Sequence, residues 1–127
     1  MRPEIARLPV DFSRELFDSL EMISTHILDT STGSPAAEVT VLLEKLSDSW
    51  VLIQKETTNT DGRIAFQCPK EPGVYRLTFG IQDYQATQGR RAFFLDIPIT
   101  FEITDTTRKY HIPLLLSPYG LSTYRGS

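Results

Sequence analysis

The chain holds two histidines, His26 and His111, and one cysteine, Cys68. An imidazole titrates near neutral pH, so either histidine could take up and return a proton. Position alone also admits plainer readings. His26, between Thr25 and Ile27, fits a half-buried and satisfied strand histidine; His111, between Tyr110 and Ile112, fits an interface residue. Arg63 follows the turn sequence Asn59-Thr60-Asp61-Gly62. Its planar, permanently charged fork suits a ring oxygen or a developing oxyanion, although taken singly it reads as a surface arginine. The chain closes on Tyr124, Arg125, Gly126 and Ser127, a stretch that normally frays. Cys68 has no partner for a disulfide within the chain and reads as a small, half-buried apolar residue rather than a reactive thiol. One cysteine and two histidines cannot make an all-His/Cys zinc site in one subunit, and no spacing signature marks a carboxylate-completed one. A carboxylate-completed site stays conceivable on the residues alone. The sequence has no G-x-S-x-G elbow, Walker loop, G-x-G-x-x-G, H-E-x-x-H or C-x-x-C, which disfavours covalent catalysis by Ser or Cys.

The residues around these groups alternate with period two. Val39, Val41 and Leu43 form one such run; Val51 and Ile53, then Ile64 and Phe66, form the next two. Tyr75, Leu77, Phe79 and Ile81 follow, and after them Ile97, Ile99, Phe101 and Ile103. Gly, Pro, Asp and Ser clusters bound each run. With segments 22–30, 109–116 and 119–125 the pattern predicts an all-β chain of about eight short strands, folded as an antiparallel sandwich of two sheets. One two-turn helix is expected over Gln82–Gln88. Phe12, Leu16 and Leu20, with Phe17 beside them, predict a short amphipathic helix in an N-terminal extension over residues 1–21, ahead of a domain over 22–127.

Two strands have apolar residues on both faces. Segment 109–116 sets Tyr110, Ile112, Leu114 and Leu116 on one face, and Lys109, His111, Pro113 and Leu115 on the other. In 22–30, Ile23, Thr25, Ile27 and Asp29 oppose Met22, Ser24, His26 and Leu28. Such strands need cover on both faces, and in a small domain a second subunit supplies it. An oligomer is expected, its interface including the outward faces of the first strand and the last two.

A length of 127 residues suits one domain with a real core, burying roughly two thirds of the surface its unfolded form exposes. The formal charge of −3, without a block of like charge, argues against a nucleic-acid binder. No stretch approaches the ~20 apolar residues that cross a bilayer, and no apolar run follows Arg2 as in a secretory signal. With no terminal Ser-Lys-Leu address, the cytoplasm is the expected compartment and the peroxisome the alternative.

Read in order, several segments carry more than their parts. Ser24-Thr25-His26-Ile27-Leu28-Asp29-Thr30 is followed by Gly33-Ser34-Pro35-Ala36, and Trp50 precedes Thr60-Asp61-Gly62-Arg63. Tyr110-His111-Ile112-Pro113-Leu114-Leu115-Leu116-Ser117-Pro118 then leads to the terminal Tyr124-Arg125-Gly126-Ser127. Over about residues 22–127 this resembles the 5-hydroxyisourate hydrolases of the transthyretin-like family; the terminal tetrapeptide separates them from the hormone carriers. The resemblance implies a transthyretin-like sandwich and a homotetramer, a dimer of dimers with active sites where the dimers meet. It implies hydrolysis of 5-hydroxyisourate in urate catabolism, with no cofactor and no metal. The catalytic positions then fall on His26, Arg63, His111 and Ser127, and the substrate-binding positions on Arg63, Tyr124, Arg125, Gly126 and Ser127. Within that reading the two histidines share water activation and proton return, and which one is the base stays open. Ser127 offers a hydroxyl and a carboxylate to orient an imidazole or Arg63. Leu95-Asp96 and Leu121 depart from the common family pattern without touching these positions. The rival readings are a non-catalytic carrier on the same sandwich, against which the polarity of these groups counts, and an interaction module with no small-molecule site.

Overall fold

The computed structural model describes residues 21–126. The helix expected in the N-terminal extension and the terminal Ser127 lie outside them. The described residues form ten strands and one helix: β1 (Glu21–Asp29), β2 (Ser34–Pro35), β3 (Thr40–Leu46), β4 (Trp50–Thr57), β5 (Arg63–Gln67), β6 (Gly73–Phe79), α1 (Ile81–Thr87), β7 (Ile97–Ile103), β8 (Tyr110–His111), β9 (Leu114–Leu116) and β10 (Leu121–Thr123). The eight expected strands are recovered once β8 and β9 count as one interrupted strand and the two-residue β2 is set aside.

Two sheets face each other across an apolar core. One runs β4-β3-β6-β7, antiparallel throughout. The other is built around β1, which pairs antiparallel with β5 and β2 and parallel with β8 and β9, while β10 closes on β9. The parallel pairing departs from the all-antiparallel expectation. It arises because the first long strand of the described chain and its last segments are neighbours, joined only through the rest of the domain. Ile23, Ile27, Ile64, Phe66, Leu43, Leu77, Phe79 and Leu114 meet between the sheets. Period-two alternation places them there, because alternate side chains of each strand point to one face.

The break between β8 and β9 has a local cause. Pro113 has no N–H to give the ladder. The backbone groups around it are satisfied from elsewhere: Ile112 N–H donates to Ser24 O at 2.9 Å. The Thr25 hydroxyl donates to Ile112 O at 2.6 Å, and the Thr123 hydroxyl to Pro113 O at 2.8 Å. Two threonines thus replace the missing donors, and the segment keeps its register with β1 on both sides of the proline.

The far end of β1 is pinned by a buried charge. Asp29 is 1% exposed and accepts hydrogen bonds from the Tyr84 hydroxyl at 2.8 Å, from Ser31 N–H and hydroxyl, and from the Arg90 guanidinium. Burial alone would raise its pKa; the bonds from Arg90, Ser31 and Tyr84 more than offset this and hold the carboxyl well below the usual carboxylate range. The Tyr84 phenol, buried beside that carboxylate, is pushed up to about 12. Through Tyr84 the network fastens α1 to β1.

Candidate active site

Strand register decides which side chains share a face. His26 stands opposite Arg63 in the antiparallel β1–β5 pair, and Ser24 stands level with His111 in the parallel β1–β8 pair. Residues level across a ladder point the same way, so Ser24, His26, Arg63 and His111 all lie on the outward face of this sheet. Thr25, Ile64 and Ile112, one position on, turn inward and are buried. His26 and His111 are 85 positions apart in sequence but only one strand apart in space.

The turn before β5 aims Arg63. Asn59 Oδ1 accepts from the N–H of Asp61 at 2.9 Å and of Arg63 at 3.0 Å, and Gly62 N–H donates to Asn59 O at 2.9 Å. Gly62 has φ of +73°, and a Cβ there would stand 2.6 Å from Ile27 O. The glycine is required both by its backbone angle and by this close approach, which includes a bond from Ile27 N–H to Gly62 O at 2.8 Å. The turn is thereby clamped onto β1 beside His26.

Ser24, Asn59, Arg63 and His111 line a groove of about 340 Å³, and His26 stands on the same face. Ser24 Oγ and His111 Nδ1 are 2.9 Å apart. Burial, and then the charges of Arg63 and His26, push the His111 imidazole below its ordinary value. Near neutral pH it is therefore an uncharged proton acceptor. Arg63, a permanent cation across the ladder from His26, is solvent-exposed and free to meet an anionic or carbonyl-rich ligand.

The end of the chain reaches this face only in part. Gly126 bridges to His111, its N–H donating to His111 O at 2.7 Å, and a Cβ on it would stand 2.9 Å from His111 Cδ2. Tyr124 and Arg125 instead line a separate hollow of about 200 Å³ with Ile99, Phe101, Tyr110 and Ile112. A single chain thus brings His26, Arg63, His111 and Gly126 together and leaves Tyr124 and Arg125 apart from them. Ser24 and Asn59 went unnoticed in the sequence as site residues. Parity with His26 could have flagged Ser24, two positions away on the same strand face; nothing local announces its link to His111. Cys68 is 2% exposed, and burial pushes its thiol up to about 11, as befits an inert core residue. Among the described residues no three His, Cys, Asp or Glu side chains gather as metal ligands would.

The comparisons with known proteins agree with this architecture. The model of the HIUase/Transthyretin family matches residues 23–126. A 5-hydroxyisourate hydrolase of Salmonella dublin is 44% identical over 110 residues, covering 84% of this chain and 81% of that protein. The solved Klebsiella pneumoniae 5-hydroxyisourate hydrolase superposes with a TM-score of 0.75 at 40% identity, over 85% of this chain and 94% of that one. Sea bream transthyretin in complex with thyroxine gives a TM-score of 0.77 at 28% identity, over 82% of this chain and 93% of its own. With the family model matching residues 23–126 and relatives of 40–44% identity spanning most of both chains, the chain belongs to the HIUase/Transthyretin family.

Proposed function

We propose that the chain is a hydrolase that converts 5-hydroxyisourate to 2-oxo-4-hydroxy-4-carboxy-5-ureidoimidazoline, a step of urate degradation in purine catabolism. The observation that supports this most is the outward face on which His26, Arg63 and His111 stand together, in a chain whose relatives carry the name of that enzyme. Hydrolytic ring opening needs a positioned water, a base and a cation or donor for the developing oxyanion. His111, uncharged near pH 7, takes a proton from water as its oxygen bonds to a ring carbonyl carbon. Arg63 holds the ring oxygens and stabilises the negative charge that develops. The ring C–N bond then breaks, and a proton returns to the leaving nitrogen by way of His26 or His111. Tyr124, Arg125, Gly126 and Ser127 complete substrate binding at the junction between subunits.

That junction belongs to a homotetramer, a dimer of dimers. Exposed Phe93, Phe94, Leu95 and Tyr119 support it, with Phe93 packed edge-on against Phe94 and Tyr119. Half-buried Leu28 and Leu115 sit on the same sheet face as the histidines and mark apolar surface awaiting cover. No helix among the described residues is long and apolar enough to cross a membrane; the cytoplasm is the compartment we assign, with the peroxisome as the alternative.

The deciding experiment follows the ultraviolet decay of freshly generated 5-hydroxyisourate with and without the protein. Accelerated decay is expected. Decay at the spontaneous rate, at micromolar protein, overturns the hydrolase reading.

A further inference from the structure

We propose that Ser24 is a positioning residue for His111: its hydroxyl oxygen accepts the Nδ1 proton and so fixes the neutral ring in the tautomer that leaves Nε2 open as the base. The inference rests on the hydrolase reading for its catalytic consequence, but not for the tautomer itself. Three observations carry it. The Oγ–Nδ1 separation is 2.9 Å, a normal hydrogen-bond length. The two residues are level in the β1–β8 ladder, so the contact is built by backbone register rather than by a chance rotamer. The ring is also held from its other side, where the Gly126 backbone leaves too little room for a Cβ beside His111 Cδ2.

A hydroxyl can donate or accept, so the distance alone leaves two arrangements. If Ser24 donated to Nδ1, the single ring proton would sit on Nε2 and the ring could not take another from water at that atom. If Ser24 accepts, Nε2 carries the lone pair. Once His111 has taken a proton, both ring nitrogens are donors, and the hydroxyl must then accept. The accepting arrangement therefore serves both protonation states without a hydroxyl flip. The titratable and charged groups facing His111 from the packed elements, His26 on β1 and Arg63 on β5, disfavour the imidazolium without selecting between neutral tautomers. Ser24 supplies that selection.

The test is side-chain ¹⁵N NMR of the two histidines in the full chain near pH 8, with a His26→Asn sample to assign the signals. In wild type His111 is expected to be protonated on Nδ1. In Ser24→Ala the ring should shift toward the Nε2–H form that free imidazole side chains favour, and Ser24→Thr, which keeps a hydroxyl, should restore the first state. An Nε2–H ring in the wild-type protein, or unchanged signals in a folded Ser24→Ala, overturns the proposal. In the decay assay Ser24→Ala should lower kcat about tenfold or more with KM nearly unchanged, while adding no further loss to His111→Ala. A loss in Ser24→Ala carried wholly by KM also counts against it. If wild type shows the Nδ1–H ring but does not accelerate substrate decay, the hydrolase reading fails and the tautomer assignment stands.

Discussion

At the scale of single residues, one outward sheet face gathers groups of unlike character: an imidazole kept neutral, a second imidazole and an exposed guanidinium. His111→Ala removes the proposed base, and Arg63→Ala the proposed oxyanion cation. Each is expected to slow decay of freshly generated 5-hydroxyisourate by about 10²–10³-fold or more. A rate within a fewfold of wild type in either variant would refute the assigned role. The pH profile gives an independent check. Burial first, then Arg63 and His26, lower the His111 pKa, so the base form persists to more acid pH than the ordinary ~6.5 of histidine. The acid limb of kcat/KM should accordingly lie below that value. In Arg63→Ala the limb of the residual activity should move to higher pH, because one of the charges that disfavours the imidazolium is gone. The sequence singled these residues out as a set through the family resemblance; by type alone, His26, His111 and Arg63 also fit a strand, an interface and a surface role. Type and order do not say which hollow a side chain enters: within one chain Tyr124 and Arg125 line a different one from His111.

At the scale of elements, the site is as exact as the turns and strand ends that hold it. Gly62 lets the Asn59–Arg63 turn lie against β1. Gly62→Ala should destabilise the fold by about 1–3 kcal/mol through its positive φ alone, and more through the contact with Ile27 O. Denaturant melts and kcat should fall together, because Arg63 moves with the turn. At the opposite end of β1, Asp29 is ionised in the fold at a pH where it would be protonated in the unfolded chain. Its depressed pKa stabilises the protein in full above about pH 4, the unfolded carboxyl range, and that contribution is lost as pH falls further. The stability difference between wild type and Asp29→Asn should therefore be large at pH 7, about 3 kcal/mol, and shrink below pH 4. A constant difference across that range would show that the charge is not the cause. Alternation made the strands legible: Ile64 and Phe66, or Tyr75, Leu77 and Phe79, face the core as read. It misled at β4, where Val51 and Leu52 are both exposed. The register slips there, Leu43 opposing Gln54 and Glu44 opposing Leu52, so Ile53 is an extra residue on an edge strand. Nor can alternation report a strand's neighbours or their direction, so the parallel lie of β8 and β9 against β1 was hidden.

At the scale of the molecule, the proposed tetramer would cover the exposed aromatic surface and bring the terminal residues of one subunit to the site of another. Light scattering after size exclusion should give about four times the 14.4 kDa chain mass; a stable monomer would remove the tetramer. Phe93→Asp, placing a charge on the aromatic patch, should weaken assembly and reduce turnover while leaving the sandwich folded by circular dichroism. The domain's own order of construction follows from β1's parallel partners. Ser24 and His111 are 87 positions apart, so β1, the first of the described strands, waits for β8 to complete its pairing. On the ribosome β1 can pair with β5 early, yet its other edge stays bare until β8 and β9 have emerged. Contacts of such long reach make folding slow, and a prematurely ended product would display an open β1 edge, prone to pairing with another chain, and no half of the site capable of turnover.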